Sequence, residues 1–263
     1  MPEFIGSDNS IAVQMRLRDR QPKIAGSPGL VNGGRLLHFL APDKTGWDTV
    51  RTLAEEDKLA GFPIVVEETA VGQIKEHLGG HWTTPVWHAL LGSADQVLSA
   101  CASVIDGAGL PDGWRAAMHD CPGEDEIAEI QALNAETGVS PYPAYYSRSE
   151  AVPVLTACLH DDRGALVATA SVADRYHRDS RLGGHVFAGM VSVSDSCRGR
   201  GLGKLINALA LSESHRRFGW TVATEQVAPD NPVSRAMILA CGLDHSAGLV
   251  SVAAINSDEN FTR

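Results

Sequence analysis

The stretch Val191-Ser192-Val193-Ser194-Asp195-Ser196-Cys197-Arg198-Gly199-Arg200-Gly201-Leu202-Gly203-Lys204 decides how the rest of this chain is read. A β-branched strand pattern runs into a glycine-rich turn, and the apolar stripe after it (Leu205, Ala208, Leu209, Leu211) has helical spacing and reads as core. Glycine lets the backbone take positive φ and come close to a ligand. A helix start presents unpaired N–H groups and the positive end of the helix dipole. Arg198, Arg200 and Lys204 add charge, so the segment is built as a pyrophosphate cradle. Spacing excludes two other phosphate motifs. The P-loop fails because Arg198 stands where its first glycine belongs and Leu205 follows Gly203-Lys204. The dinucleotide fingerprint G-x-G-x-x-G fails because Lys204 takes the place of its third glycine.

Working outward, strands and helices alternate. Val152 to His160 and Ala165 to Ala173 form β-branched runs joined by DDRG, a hairpin signal. His185 to Val193 is a strand, Gly203 to Phe218 a helix, Thr221 to Val227 a strand, Asn231 to Ala240 a helix and Leu249 to Ile255 a last strand. Upstream, Trp114 to His119 suits a strand. Glu124 to Thr137 is an amphipathic helix with Ile127, Ile130, Leu133 and Asn134 on one face. The expected fold class is α/β (α+β), a mixed twisted sheet flanked by helices.

The break GAGLPDG at 107–113 is the best boundary, dividing an N-terminal region (1–111) from a second domain (112–263). In the first region, residues up to about 35 read as a loosely structured lead-in with a short strand. Thr45 to Ala60 reads as a helix, Pro63 to Val66 as a buried strand, and Pro85 to Ile105 as an apolar helical stretch.

Composition narrows the function. Of 263 residues 44% are apolar, which excludes disorder as the main state. No apolar run reaches the ~18 residues of a membrane span, and MPEFIGSDNS lacks the basic and apolar regions of a signal peptide, so a soluble cytoplasmic protein without membrane contact is expected. The net charge of −10 argues against nucleic acid and fits a cationic small substrate weakly. Five cysteines without a C-x-x-C suit free thiols in a reducing compartment. His77, His81 and His88 have no cysteine or carboxylate pair to complete a ligand set, so no metal is expected.

The R-G-x-G-L-G turn after a V-x-V strand resembles the acetyl-CoA-binding motif of the GCN5-related N-acetyltransferase superfamily. Asn231-Pro-Val-Ser234-Arg-Ala-Met-Ile238-Leu-Ala-Cys-Gly242-Leu243, one strand downstream, is similar to that family's N-x-x-A-x-x-x-Y-x-x-x-G-F helix. The motifs span 186–243, and the preceding helix and hairpin extend the likeness to about 114–263. The first 111 residues carry no such motif. They are read either as a degenerate second copy of the fold or as an unrelated extension.

The resemblance implies acetyl transfer from acetyl-CoA to an amine acceptor, a small molecule in the favoured reading. It places pantetheine in a gap between two splayed strands, against backbone groups of Val191, Ser192 and Val193. It gives the pyrophosphate to Arg198, Gly199, Arg200, Gly201, Leu202, Gly203 and Lys204, and contacts to the arm to Asn231 and Ser234. The chain departs from the family at Ile238, where a thiolate-protonating tyrosine is usual; Ser234, Cys241 or a tyrosine from elsewhere can substitute. His185 falls where the histone-acetylating branch carries its glutamate, and a histidine has a suitable pKa for a base. It stands against a solvated strand-end histidine. Glu225, where the family is apolar, is a base, a clamp for a cation, or an outward-facing or helix-paired carboxylate. Asp195 shapes the strand exit. Cys197 lacks a neighbouring histidine and needs no covalent role. Tyr142, Tyr145 and Tyr146 lie in the segment that walls the acceptor site in relatives. The alternatives are a catalytically inactive acyl-CoA-binding module and a protein N-acetyltransferase. The ending FTR suits a closing segment or a contact between two copies, so a homodimer stays open.

Overall fold

The computed structural model describes residues 2–256. In chain order the elements are α1 (Asp8–Ala25), β1 (Leu30–Asn32), β2 (Leu37–Phe39), α2 (Pro42–Thr45), α3 (Trp47–Asp57), β3 (Leu59–Val66), α4 (Glu67–Leu78), β4 (Trp82–Thr83), β5 (Val86–Ser93), α5 (Ala94–Ala108) and β6 (Arg115–His119). There follow α6 (Glu124–Glu136), α7 (Ala144–Ser147), β7 (Val154–His160), β8 (Leu166–Ala173), β9 (His185–Val193), a short 3-10 turn (Asp195–Cys197), α8 (Leu202–Phe218), β10 (Val222–Val227), α9 (Pro232–Ala240) and β11 (Asp244–Asn256).

One sheet runs through the molecule in the order β1-β2-β3-β11-β5-β10-β9-β8-β7-β6, with β4 on β11. The β7–β8 hairpin forms as expected, Val154 facing Ala173. Most neighbours are antiparallel; β9 with β10 and β2 with β3 are parallel. Strand β5, from the first 111 residues, lies between β10 and β11, pairing Glu225 with Leu90 on one side and Val252 with Val86 on the other.

Helices α5, α8 and α9 cover one face, where Val97, Cys101, Leu205, Ile206, Ala208, Leu211, Ile238 and Cys241 pack on Ala157, Ala168, Val186 and Ala223. Helix α6 lies on the other face. There Ser192 Oγ donates to Asn134 Oδ1 at 2.8 Å and accepts from Thr137 Oγ1 at 2.8 Å. A second core joins α1, α3 and α4 to β3 and β11 through Val13, Leu17, Val50, Phe62, Ile74 and Val252.

Two readings of the first region change. The lead-in contains an 18-residue helix, α1, started by the Ser7 side chain accepting from Ser10 N. Its apolar stripe is sparse (Val13, Leu17, Ile24), while Arg16 and Arg20 on its polar side reach the buried Asp57 carboxylate at 2.6 and 2.8 Å. The stretch 85–105 is a strand followed by a helix. Ser93 and Gln96 form a reciprocal capping box that starts α5, so the preceding residues are free to join the sheet as β5. The expected strand at 63–66 belongs to the longer β3, and α4 has no counterpart in the expectations. No helix among the described residues is long and apolar enough to cross a membrane. The FTR ending lies outside the described residues.

Candidate functional site: an uncapped helix start at the mouth of a splayed strand pair

Strands β9 and β10 pair only over His185–Phe187 with Val222–Thr224. Beyond that, β9 pairs with β8 and β10 with β5, so the facing edges of 188–193 and 225–227 make no ladder with each other. A wedge-shaped gap opens towards the end of β9. Within it β9 carries a bulge: Ser171 faces Gly189 and Thr169 faces Ser192, so Met190 and Val191 together oppose Ala170. Met190 takes φ of 56°, in the left-handed region, which bends the backbone at that point.

At the wide end the 3-10 turn leads to Gly199 and Gly201, with φ of 76° and 79°, and then to α8. No side chain caps α8, and its first turn holds no acidic residue. By contrast α5, α6 and α9 are closed by Gln96 with Ser93, by Glu126 and by Asn231. The first N–H groups of a helix have no intrahelical partner, and here they are left to an outside acceptor. A Cβ built on Gly199 would meet nothing within 4 Å, so this rim is open.

Arg198, Arg200 and Lys204 are exposed. Arg198 pairs with Asp195 at 2.9 Å, and the Arg200 guanidinium lies 5.0 Å from the Trp114 ring centroid. Val191 and Val193 are half-buried on the α8 side, while Ser192 is buried and tied to α6. Asn231 Oδ1 accepts from Ser234 N at 3.0 Å and so starts α9. Met237, one turn further on, lies 3.5 Å from where a Gly203 Cβ would stand. The end of β9 and the middle of α9 therefore both pack against the α8 start, through Val193 and Met237.

The other catalytic candidates sit apart from one another. His185 is at the closed end of the gap, six residues and roughly 20 Å of strand before Val191. It is half-buried, burial lowers its pKa, and its Nδ1 lies 3.4 Å from Gly183 O. Glu225 is buried on the α8 face of β10, where burial raises its pKa to about 7 and the bond from Asn207 opposes the rise. His185 points to the opposite face, since its neighbour Val186 packs in the α8-side core. Ile238 is buried there too. Cys197 is 8% exposed and packs in the same core.

Tyr142, Tyr145 and Tyr146 are buried on the α6 side and pack with Met190 and Ala173. Burial raises all three phenol pKa values, that of Tyr145 to about 12, so the hydroxyls stay protonated at neutral pH. Tyr146 Oη donates to Asn32 O at 3.2 Å, which docks the β1–β2 hairpin onto this wall.

Sequence reasoning missed the Met190 bulge, because methionine carries no local signal for positive φ. It also passed over Arg35, His38 and Arg175, which stand beside the tyrosines; the basic-aromatic run Arg175-Tyr176-His177-Arg178 was the available signal. No group of three or more metal-ligating side chains gathers among the described residues.

No known protein-family model matches the sequence, and no curated protein matches it. Solved structures do. A GCN5-related N-acetyltransferase from Kribbella flavida superposes with a TM-score of 0.56 at 18% identity, over 93% of this chain and 95% of that one. A tandem GNAT protein from the clavulanic acid biosynthesis pathway gives 0.56 at 16%, over 85% and 75%. A GCN5-related N-acetyltransferase-like protein from Streptococcus suis gives 0.55 at 12%, over 92% and 99%. Likeness at such identities speaks for the fold: with its splayed β9 and β10, its bulged β9 and its open α8 start, this chain has the fold of the GCN5-related N-acetyltransferases.

Proposed function

We propose that the protein transfers an acetyl group from acetyl-CoA to the amine of a small acceptor, and that residues 112–263 carry the transfer. The observation that carries this reading is the uncapped start of α8 at the mouth of the splayed β9–β10 gap. The residues fit the donor. The N–H groups of Gly201, Leu202, Gly203 and Lys204 face outward from a helix dipole that favours anions, with Arg198 and Arg200 beside them. The unpaired edge of β9 at Val191 and Val193 offers main-chain groups to an amide-bearing arm, and Asn231 and Ser234 are assigned further contacts to that arm.

A backbone N–H at the Met190 bulge polarises the thioester carbonyl, the usual device for stabilising a developing oxyanion. The acceptor nitrogen forms the new C–N bond as the C–S bond breaks. The ammonium proton leaves to water; His185, which burial keeps neutral, stands at the closed end of the gap and is reached only through a longer water chain. The departing thiolate takes a proton from Ser234 or through water, since Ile238 has none to give. Glu225, bound by Asn207, supports β10 and α8 from beneath or acts as a buried base. The five cysteines are all free thiols, which suits a reducing compartment such as the cytoplasm.

The buried Ile238 favours a second reading, an acyl-CoA-binding module without turnover. A calorimetric titration with acetyl-CoA, followed by thiol-release assays over a panel of amines, separates the two. Micromolar one-to-one binding with turnover supports transfer, and binding without turnover of any amine supports the module. No binding up to millimolar acetyl-CoA removes both.

A further inference from the structure

Beside the β9 gap, on the face opposite α8, the fold buries cations without giving them counter-charges. Arg175 follows β8 by two residues and is 7% exposed. Its guanidinium lies 3.8 Å from the Phe187 ring centroid and donates to Tyr176 Oη at 3.2 Å, while its Nε has no partner. Arg35, in the β1–β2 turn, lies 5.8 Å from the Tyr142 ring centroid, and its buried Nε is also unpartnered. His38 is 7% exposed with Nδ1 unpartnered. Among the described residues no carboxylate pairs with any of the three.

Other arginines at the same junction are treated differently. Arg181 donates to the carbonyls of Leu40, Ile64 and Pro63 at 2.7, 2.8 and 2.5 Å. Arg16 and Arg20 share Asp57. Where arginine is structural, this chain supplies acceptors. Buried cations left without them are costly unless something else brings the charge. Desolvation depresses both Arg35 and His38, and each is further lowered by the Arg175 charge.

The place is suggestive of what that something is. Phe187 is the last β9 residue paired with β10, and the bulged Met190 packs against Tyr142, Tyr145 and Tyr146. The guanidiniums and the protonated phenols thus border β9 where the gap opens. Guanidinium N–H groups only donate, and in a forked geometry that matches carboxylate or phosphate. Arg35 is half-buried and also lines a cavity of about 130 Å³ with Gln14, Lys58 and Ser140, so the Arg35 side of the cluster reaches solvent, while Arg175 lies deeper.

We propose that the acceptor amine carries an anionic group, a carboxylate or a phosphate, held by Arg175 and Arg35. The local charge reverses what the overall −10 suggests about the substrate. The proposal rests on the acetyl-transfer reading above, and the test separates the two.

The experiment compares matched amines with acetyl-CoA as donor: glycine, β-alanine and glutamate carry carboxylates, O-phosphoethanolamine a phosphate, and ethylamine and ethanolamine neither. At least one anionic amine is expected to exceed the uncharged ones by about 30-fold in kcat/KM. Arg175→Gln should raise its KM about 10- to 100-fold, with Arg175→Lys recovering part and the Kd for acetyl-CoA within about twofold of wild type. Arg35→Gln gives the same readout should Arg175→Gln fail to fold. Whichever arm responds identifies the anion. Equal rates with ethylamine, or an unchanged KM in both glutamine variants, overturn the proposal and leave the acetyl-transfer reading standing. If wild type binds no acetyl-CoA, that reading falls, and hydrogen exchange decides the anion site alone. Protection of residues 33–38 and 142–147 by O-phosphoethanolamine or glutamate, lost in Arg175→Gln, supports it; no protection overturns it.

Discussion

Asn207 Nδ2 donates a 2.7 Å hydrogen bond to Glu225 Oε1, and both side chains are sealed between α8 and β10 at 0% and 3% exposure. A carboxyl group so placed binds its proton more tightly than in water: its pKa is raised to about 7 from an ordinary 4.5. Between those values the folded chain holds a proton that the unfolded chain has released, so stability falls as pH rises through this window and is lowest above it. The difference is about 3 kcal/mol. Glu225→Gln should abolish this dependence. Urea unfolding at pH 5 and pH 8 checks it: the wild type should lose about 2.5 kcal/mol more than the variant between the two.

Gly201 holds φ of 79° at the threshold of α8, with the Lys204 Cε 4.0 Å from where a Cβ would stand. Gly201→Glu should cost about 1–2 kcal/mol of stability through the left-handed backbone. It also places a negative charge at the anion-favouring helix end. Acetyl-CoA binding by calorimetry should be lost while the circular dichroism spectrum is kept. Unchanged affinity would remove the cradle assignment.

Asp57 is fully buried beneath two guanidiniums, Arg16 at 2.6 Å and Arg20 at 2.8 Å. Asp57→Ala leaves Arg16 only the Glu56 carbonyl and Arg20 only the Glu56 carboxylate at a partly buried site. The expected loss is about 3 kcal/mol in denaturant unfolding. A loss below about 1 kcal/mol would mean that α1 is held by its apolar stripe alone.

Ala89 pairs with Gln226 in the middle of β5. Ala89→Pro puts a residue without an N–H, and with a fixed φ, into a strand with neighbours on both sides, where proline is not accommodated. The variant should lose near-ultraviolet dichroism and protease resistance across the whole chain. If only residues 1–111 become sensitive, β5 does not hold the larger sheet together.

Much of the second half was legible because its signals are local. Val191 to Lys204 carries its strand, turn and helix start in fourteen consecutive residues, and Asn231 marks the start of α9 by its own capping chemistry. The first half hid its structure for physical reasons. Val86 to Ser93 is flanked by strands on both sides and packed over much of its length, so it lacks the alternation that tells a half-exposed strand from a helix. Helix α1 has few apolar positions because ion pairs and the Gln14 contacts with Ile5 do part of the anchoring. The cluster of Arg35, Tyr142 and Arg175 was hard to read because its members are far apart in sequence; only the basic-aromatic run around Arg175 hinted at it.

The position of β5 between β10 and β11 also bears on how the molecule comes into being. During synthesis β5 leaves the ribosome about 130 residues before β10 does. At 5–20 residues per second it waits roughly ten seconds for its first neighbour in the sheet. Through that interval an apolar segment has neither ladder partner, and it is a natural target for holding chaperones or for aggregation. The β9–β10 gap therefore has no co-translational precursor: its β10 wall acquires its backing strand only once β10 itself has emerged, and the gap takes shape in the last steps of folding.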